Sequence, residues 1–494
     1  MGVIAGVDSS TQSTKVELRD LDTGEVVGQG RAAHSPVSPP VSEQDPQEWW
    51  VAFNEAFAGA LSDSASRVNR AVMPRDIDAI SIGGQQHGLV VLDSSGNTIR
   101  PAKLWNDTES AKDADDLRGK LSEGDYGWAK ACGSVPVAAL TISKLAWLER
   151  NEPDSFSRVA KILLPHDWLT YKLTGRFCTD RGDASGTGYW SPSEGRWRLD
   201  LLSLVDPDMD WPALVPEVLG PLEAAGDWNG ITVGPGTGDN MASALGIGLA
   251  PGDMAISLGT SGTAFTVSEV PACDPSGYVS GFADATGRFL PLVCTLNATR
   301  VTDTIGALLS IDRDTMSHMA LNESLGSGEL VVVPYFDGER TPNRPRACGG
   351  VVGLSTSTSI AQLARAAFEG VVCSILDAMD HLPDIRGSLF LVGGGSRSHA
   401  YQQVVADLAQ MEVTVSSEPE TVAAGACVQA ASVVAACYMS QVIEAWGLRK
   451  GSLVSPGDGA SGRSASMRGV TAQEVRERFR RVASSDVWDI SRGT

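Results

Sequence analysis

The chain of 494 residues contains no GxxxxGK[ST] run, so the P-loop way of holding a nucleotide loses support. Its eight cysteines form no CxxC and no zinc spacing, and they read as the reduced thiols of a cytoplasmic protein. Basic residues are outnumbered, with 39 Lys and Arg against 60 Asp and Glu, and the formal charge is −21. A face for a phosphate backbone needs clustered Lys and Arg, none is found, and no nucleic-acid partner is expected. Neither a basic segment nor a strongly apolar one follows Met1, which argues against a secretory signal. The uncharged stretch of membrane length, Val422 to Ser440, is built of Ala, Gly, Ser and Cys with Gln429 inside. Insertion into lipid favours Leu and Ile over Ala, so this stretch is expected to be a packed core helix, with no membrane partner.

What is present is one kind of turn built twice. VDSSTQSTK at Val7 to Lys15 and SLGTSGTAF at Ser257 to Phe265 are each a short apolar strand that runs through Gly, Ser and Thr into a second strand. Small residues let backbone N–H groups approach an anionic oxygen, and hydroxyls add donors without bulk, so such turns suit nucleotide phosphates. Either alone is weak evidence, because most Ser/Gly turns are only turns.

The chain is long enough for two domains. Val3 to Val7, Thr14 to Arg19 and Glu25 to Arg31 read as strands, followed by a helix from Pro46 to Ser62 and strands at Ala79 to Ile82 and Leu89 to Asp93. Strands at Met254 to Leu258, Thr263 to Val267 and Phe289 to Leu292 repeat the order. A helical region at Ser359 to His381, a strand at Leu389 to Val392, a helix at Ala400 to Gln410 and a strand at Val413 to Val415 follow. A meander and then alternating helix and strand is the order of an RNase H-like or actin-like α/β unit, and two in series predict a bilobal molecule with a central cleft. Pro212 to Gly238 reads as the crossing between lobes, Gly451 to Gly462 as a second loose segment, and Thr471 to Ala483 as a last charged helix.

Several segments carry groups suited to chemistry. Asp239 sits in GTGDNMASALG, at a glycine-rich turn that opens a helix. A carboxylate there, with Asn240 beside it, could take a proton from a substrate hydroxyl, or could merely cap the helix. LVGGGSRSHAY at Leu391 to Tyr401 is not a GxGxxG fingerprint; its glycines leave room for a base, a ribose or a phosphate, or make a structural strand-to-helix turn. His87 lies in GGQQHGLVVLD between two strands. Trp105, Asn106 and Asp107 offer an apolar plate and hydrogen-bonding groups of the sort that hold a polyol, or form a buried turn.

These motifs in this order resemble the FGGY family of carbohydrate kinases, and within it the bacterial xylulokinases. The resemblance runs from Gly6 to about Ala431. It rests on SEQDPQEWW at Ser42 to Trp50, GGQQHG at Gly83 to Gly88, RPAKLWND at Arg100 to Asp107, GDN at Gly238 to Asn240, GTSGT at Gly259 to Thr263, PYFDGERTP at Pro334 to Pro342 and GGGSRS at Gly393 to Ser398. A later family signature fits completely from Gly349 to Glu369, and an earlier one, Thr141 to Asn151, departs only at Ala139 just before it. The resemblance implies two RNase H-like (actin/hexokinase-like) domains: residues 1–245 for sugar and 246–484 for nucleotide, with the last helix packing back on the first domain. It implies ATP-dependent phosphorylation of D-xylulose to D-xylulose 5-phosphate, with Asp239 as general base and Asp8 holding Mg²⁺. Gln86, His87, Trp105, Asn106 and Asn240 then bind the sugar. Thr11, Gly259, Thr260 and Ser261 meet the phosphates, and Gly394, Gly395 and Ser396 lie under the adenosine. A homodimer is compatible with it. In this family a basic residue usually follows the Trp105–Asp107 loop, and here Glu109 stands in that place, which leaves ribulose, arabinitol and glycerol open as substrates. An actin- or Hsp70-like ATPase would need a client-binding domain that the chain does not show. A sugar-binding regulator without catalysis would not need Asp8, Asp239 and Thr260 together.

Overall fold

The computed structural model describes residues 2–69, 71–457 and 470–489. The chain forms two compact units, one of Met1–Leu249, Ser268–Pro291 and Glu420–Arg449, the other of Ala250–Val267, Leu292–Pro419 and Lys450–Thr494.

The first unit is built on Val3–Ser9, a strand whose seven residues are all buried. Ser13–Asp20 pairs with it antiparallel and Val26–Ala33 extends the meander. On the other side Ile77–Gly84 runs parallel to it, followed by Ile231–Val233 and then, antiparallel, Gly226–Trp228. The helix Pro46–Arg67 covers one face. Asp45 caps it by accepting from Gln47 N, proline occupies its first turn, and Trp49, Phe53, Ala56 and Ala60 form the buried stripe at helical spacing. Each buried aromatic of that stripe removes enough apolar surface from water to contribute about 1.5–3 kcal/mol.

The other face is covered by Thr421–Ala435, which packs on Val3–Ser9, Ile77–Gly84 and the helix Asp239–Gly246. Ala423 to Ser432 are buried without a break, as expected of a core helix. Among the described residues no single helix is long and apolar enough to cross a membrane; Thr421–Ala435 and Met439–Trp446 meet that test only as a pair bent by 118°.

The second unit repeats the plan with the same strand directions. Phe289–Thr295, Gly262–Thr266 and Met254–Leu258 form the antiparallel meander, Leu389–Val392 and Val413–Ser416 continue parallel, and Gly451–Val454 closes the edge antiparallel. The helix Ile360–Met379 packs on this core behind a capping box of Ser359 and Gln362.

Three sequence expectations are corrected. Pro212 to Gly238 is not a crossing between lobes. Its apolar Ile231 and Val233 find an open strand edge, so it adds two strands to the first sheet, and Thr237–Gly238 pairs with Gly83 and Gly84. Gly451 to Val454 is a strand, because Val413–Ser416 offers it a free edge; the remainder of that loose segment, from residue 458, lies outside the described residues. The last helix, Ala472–Ala483, buries Val475 and Phe479 and packs on Ile360–Met379, His399–Ala409 and Val331–Val333 of the second unit, where the sequence suggested the first domain.

Candidate active site

In open α/β sheets, groups presented at the carboxyl ends of the parallel strands face ligands. The first unit collects its polar residues there. Val3–Ser9 delivers Asp8, whose Oδ2 lies 3.2 Å from Lys15 Nζ on the returning strand. Lys15 also reaches Glu420 Oε2 at 2.5 Å. Burial pushes the Asp8 carboxyl above its ordinary value and Lys15 opposes that shift. The other oxygen, Asp8 Oδ1, is buried without a hydrogen-bond partner.

The neighbouring parallel strand, Ile77–Gly84, leads into Gln85, Gln86 and His87. Gln85 N donates to Ser9 O at 3.0 Å, which ties this loop to the first turn. Thr11 Oγ1 donates to Gln85 Oε1 at 2.9 Å and accepts from Trp105 Nε1 at 3.0 Å, so the aromatic plate is fixed to the same turn. The pairing of Thr237–Gly238 with Gly83 and Gly84 brings Asp239 and Asn240 alongside. Asn240 Nδ2 donates to Gln86 Oε1 at 2.8 Å and to Asp239 Oδ1 at 2.9 Å.

Asp239 is the first residue of its helix, with Gly238 at the cap position and no side-chain cap bond. It is therefore not the helix cap that its place in the sequence also allowed. Burial, with the charges of Asp8 and Asp183 nearby, pushes its carboxyl up to about 7, where it can take a proton near neutral pH. His87 adopts a left-handed backbone, φ 65°, and its ring faces Phe282 at 5.3 Å. Gln86 Nε2 and Asn106 Oδ1 are buried with no hydrogen-bond partner. Buried polar atoms are rarely left so, and these two fit a ligand carrying hydroxyls.

The second unit presents its turns at the carboxyl ends of its own parallel strands. Ser257 and Val392 are register partners on parallel strands, so the turns that follow them, Gly259 to Ser261 and Gly394 to Ser396, are neighbours. A Cβ on Gly395 would come within 2.8 Å of the Leu258 side chain, whereas one on Gly394 would meet nothing within 4 Å. Gly395 thus serves packing and Gly394 leaves an open surface. Gly259 O accepts from Thr299 N and Thr299 Oγ1 at 3.1 and 2.9 Å, and Thr260 O accepts from Ala298 N at 3.0 Å. The buried Glu339 side chain holds the segment before the helix Thr299–Leu309, accepting from Leu296 N at 2.6 Å and Asn297 Nδ2 at 3.0 Å.

Two family profiles match this chain. FGGY family of carbohydrate kinases, N-terminal domain, covers residues 3–246, and the corresponding C-terminal domain covers residues 254–434. The chain belongs to the FGGY family of carbohydrate kinases. It is 43% identical to a xylulose kinase of Streptomyces coelicolor over 91% of this chain and 92% of that protein, and 35% identical to one of Escherichia coli over 83% and 85%. The crystal structure of a xylulose kinase from Bifidobacterium adolescentis superimposes with a TM-score of 0.80 at 36% identity, covering 97% of this chain and 99% of that one. This FGGY kinase therefore has the two RNase H-like α/β domains of the family and is an ATP-dependent carbohydrate kinase.

Reasoning from sequence missed three features of this kinase. Lys15 bridges Asp8 and Glu420, and Glu420 is distant in sequence from the turn that carries both Asp8 and Lys15. Glu109 is turned to Lys103. A buried cluster of His166, Asp167, Asp180 and Asp183 lies beneath the Thr237–Gly238 turn, and its only sequence signal is the density of acids in PHDW and CTDRGDASG.

Proposed function

We propose that this kinase phosphorylates D-xylulose at its terminal hydroxyl, giving D-xylulose 5-phosphate and ADP. Gln86, His87, Trp105, Asn106 and Asn240 bind the sugar, and Asp239 accepts the hydroxyl proton as the oxygen forms its bond to the γ-phosphorus and the bond to the β-phosphate oxygen breaks. Thr11, Gly259, Thr260 and Ser261 hold the phosphates, while Gly394, Gly395 and Ser396 lie under the adenosine. The observation that carries this reading is the Asn240 amide shared between Gln86 and Asp239, beside buried polar atoms of Gln86 and Asn106 that no protein group satisfies. Relatives named xylulose kinase over most of the chain support the choice of sugar.

The unpartnered, buried Asp8 Oδ1 is a hard oxygen donor of the type Mg²⁺ takes, so Asp8 would hold that ion, directly or through water. When bound, it would neutralise charge on the transferring phosphates. The reading implies a cytoplasmic protein without nucleic-acid or membrane partners.

The test is ADP release with Mg-ATP across D-xylulose, D-ribulose, L-ribulose, glycerol, gluconate and D-arabinitol. D-Xylulose is expected to give the highest kcat/KM. A higher value with another polyol would overturn the assigned sugar, and no turnover with any would overturn the kinase reading.

A further inference from the structure

Beneath the turn that carries Asp239 sits a fully buried histidine with three aspartates around it. His166, on the helix Pro165–Thr174, has Nδ1 2.8 Å from Asp183 Oδ2, while Nε2 lies 3.1 Å from Asp167 Oδ1 and 3.8 Å from Asp180 Oδ1. All four side chains are at most 4% exposed. Three carboxylates removed from water are costly without a counter-charge; besides His166, the charged groups that face them are Arg181, which interacts with Asp180, and the acidic Asp239. Cys178 and Tyr189 also border the aspartates, and Gly84 of the strand Ile77–Gly84 packs against the histidine. Burial alone would lower the imidazolium pKa, but Asp167, Asp183 and Asp180 together raise it to about 9.

The cluster reaches the segments that carry Asp239 and His87 at two places. Asp180 Oδ2 accepts from Thr237 Oγ1 at 2.7 Å, two residues before Asp239, and a Cβ on Gly236 would lie 2.4 Å from the His166 ring. On the other side, Asp183 O accepts from Gly186 N at 2.9 Å, and Gly186 is packed so closely under His87 that a Cβ there would lie 2.4 Å from its ring.

We propose that His166, as an imidazolium, is a positioning residue for phosphoryl transfer: it holds Asp180 and Asp183 in place, and through them Thr237 with Asp239 and the seat of the His87 ring. This rests on Asp239 being the base. With the imidazolium neutralised by loss of its proton, the buried aspartates repel one another and the Asp239 turn moves off its productive position, while the nucleotide turns of the second unit are untouched.

The test compares kcat against pH for wild type, His166→Lys, His166→Gln, Thr237→Val and Asp239→Asn, with thermal melting of each. Wild type is expected to lose kcat as pH rises through about 9, the value of the imidazolium. His166→Lys, a cation with a higher ordinary pKa, should keep activity and move that alkaline limb upward by about one pH unit or more. His166→Gln should lose about 10²-fold in kcat with ATP KM unchanged, as expected of a small misplacement of reacting groups. Thr237→Val, which cuts one link and keeps every charge, should lower kcat without moving the limb. An alkaline limb at the same pH in wild type and His166→Lys overturns the inference, even if His166→Gln fails to fold. So does wild-type kcat in Thr237→Val. Turnover retained in Asp239→Asn would instead overturn the assignment of the base, and this inference with it.

Discussion

Lys103 Nζ lies 2.6 Å from Glu109 Oε2, and this ion pair occupies the acidic residue that replaces the usual basic one after the Trp105–Asp107 loop. The same ammonium is 3.0 Å from Glu43 Oε1 and 3.1 Å from Asp107 Oδ2, and it stands 3.8 Å over the Trp147 ring. The three carboxylates converge closely enough to hold a metal ion, but the lysine supplies the positive charge among them. Hydrogen bonds and ion pairs to these carboxylates raise the Lys103 pKa against the lowering effect of its burial.

Lys103→Met is therefore expected to destabilise the protein by about 3–5 kcal/mol, because it leaves the fully buried Asp107 without its cation. Urea unfolding measures this. Glu109→Gln, at a partly exposed partner, should cost about 1 kcal/mol or less and leave the ranking of sugars unchanged. A change of preferred sugar in that variant would show that Glu109 faces the substrate.

Stability without ligands should fall as pH rises from about 4 to about 7. Asp239 and Asp167 are each pushed up to about 7, chiefly by burial, so in that interval the folded protein keeps protons that the unfolded chain has released. Since the unfolded state then binds fewer protons, the slope of stability with pH is negative. Asp239→Asn removes one of these costs: it should melt at a higher temperature than wild type at pH 8 by the equivalent of about 1–2 kcal/mol, and at nearly the same temperature as wild type at pH 4. Calorimetry at the two pH values decides it.

Thr11→Val removes both the donor to Gln85 Oε1 and the acceptor for Trp105 Nε1. Leaving these partly buried groups unsatisfied should cost about 1–3 kcal/mol. Because Trp105 lies in the loop assigned to the sugar and Thr11 itself is assigned to the phosphates, KM for the sugar and KM for ATP should both rise. Initial rates with each substrate varied in turn separate the two.

Gly425→Ala should destabilise by more than about 2 kcal/mol, since a Cβ there would lie 1.8 Å from Ala242 O, a backbone atom of the facing helix. That helix begins at Asp239. Any variant protein that folds should accordingly show a lower kcat, read by ADP release alongside melting temperature.

The sequence by itself determined the elements whose reasons are local. Leu389–Val392 was legible to the residue, because a run of Leu, Phe and Val stops at three glycines. The helices at Ile360–Met379 and Ala472–Ala483 were legible from Ser359 with Gln362 and Thr471 with Glu474, which are capping boxes written in adjacent residues. The two Gly/Ser/Thr turns, and the motifs around Gln86, Trp105 and Asp239, likewise announce themselves by composition. Tertiary structure decided what depends on distant partners. Whether Pro212 to Gly238 links two lobes or joins a sheet depends on the free edge offered by Ile77–Gly84. Whether Glu109 faces a ligand or a lysine depends on Lys103 being buried beside it. The meeting of His166 with Asp180 and Asp183 requires the helix Pro165–Thr174, the strand Cys178–Asp180 and the short helix Arg181–Ala184 to bury charge together, and no spacing in the chain encodes that, because electrostatic pairing depends on distance in space rather than separation in sequence.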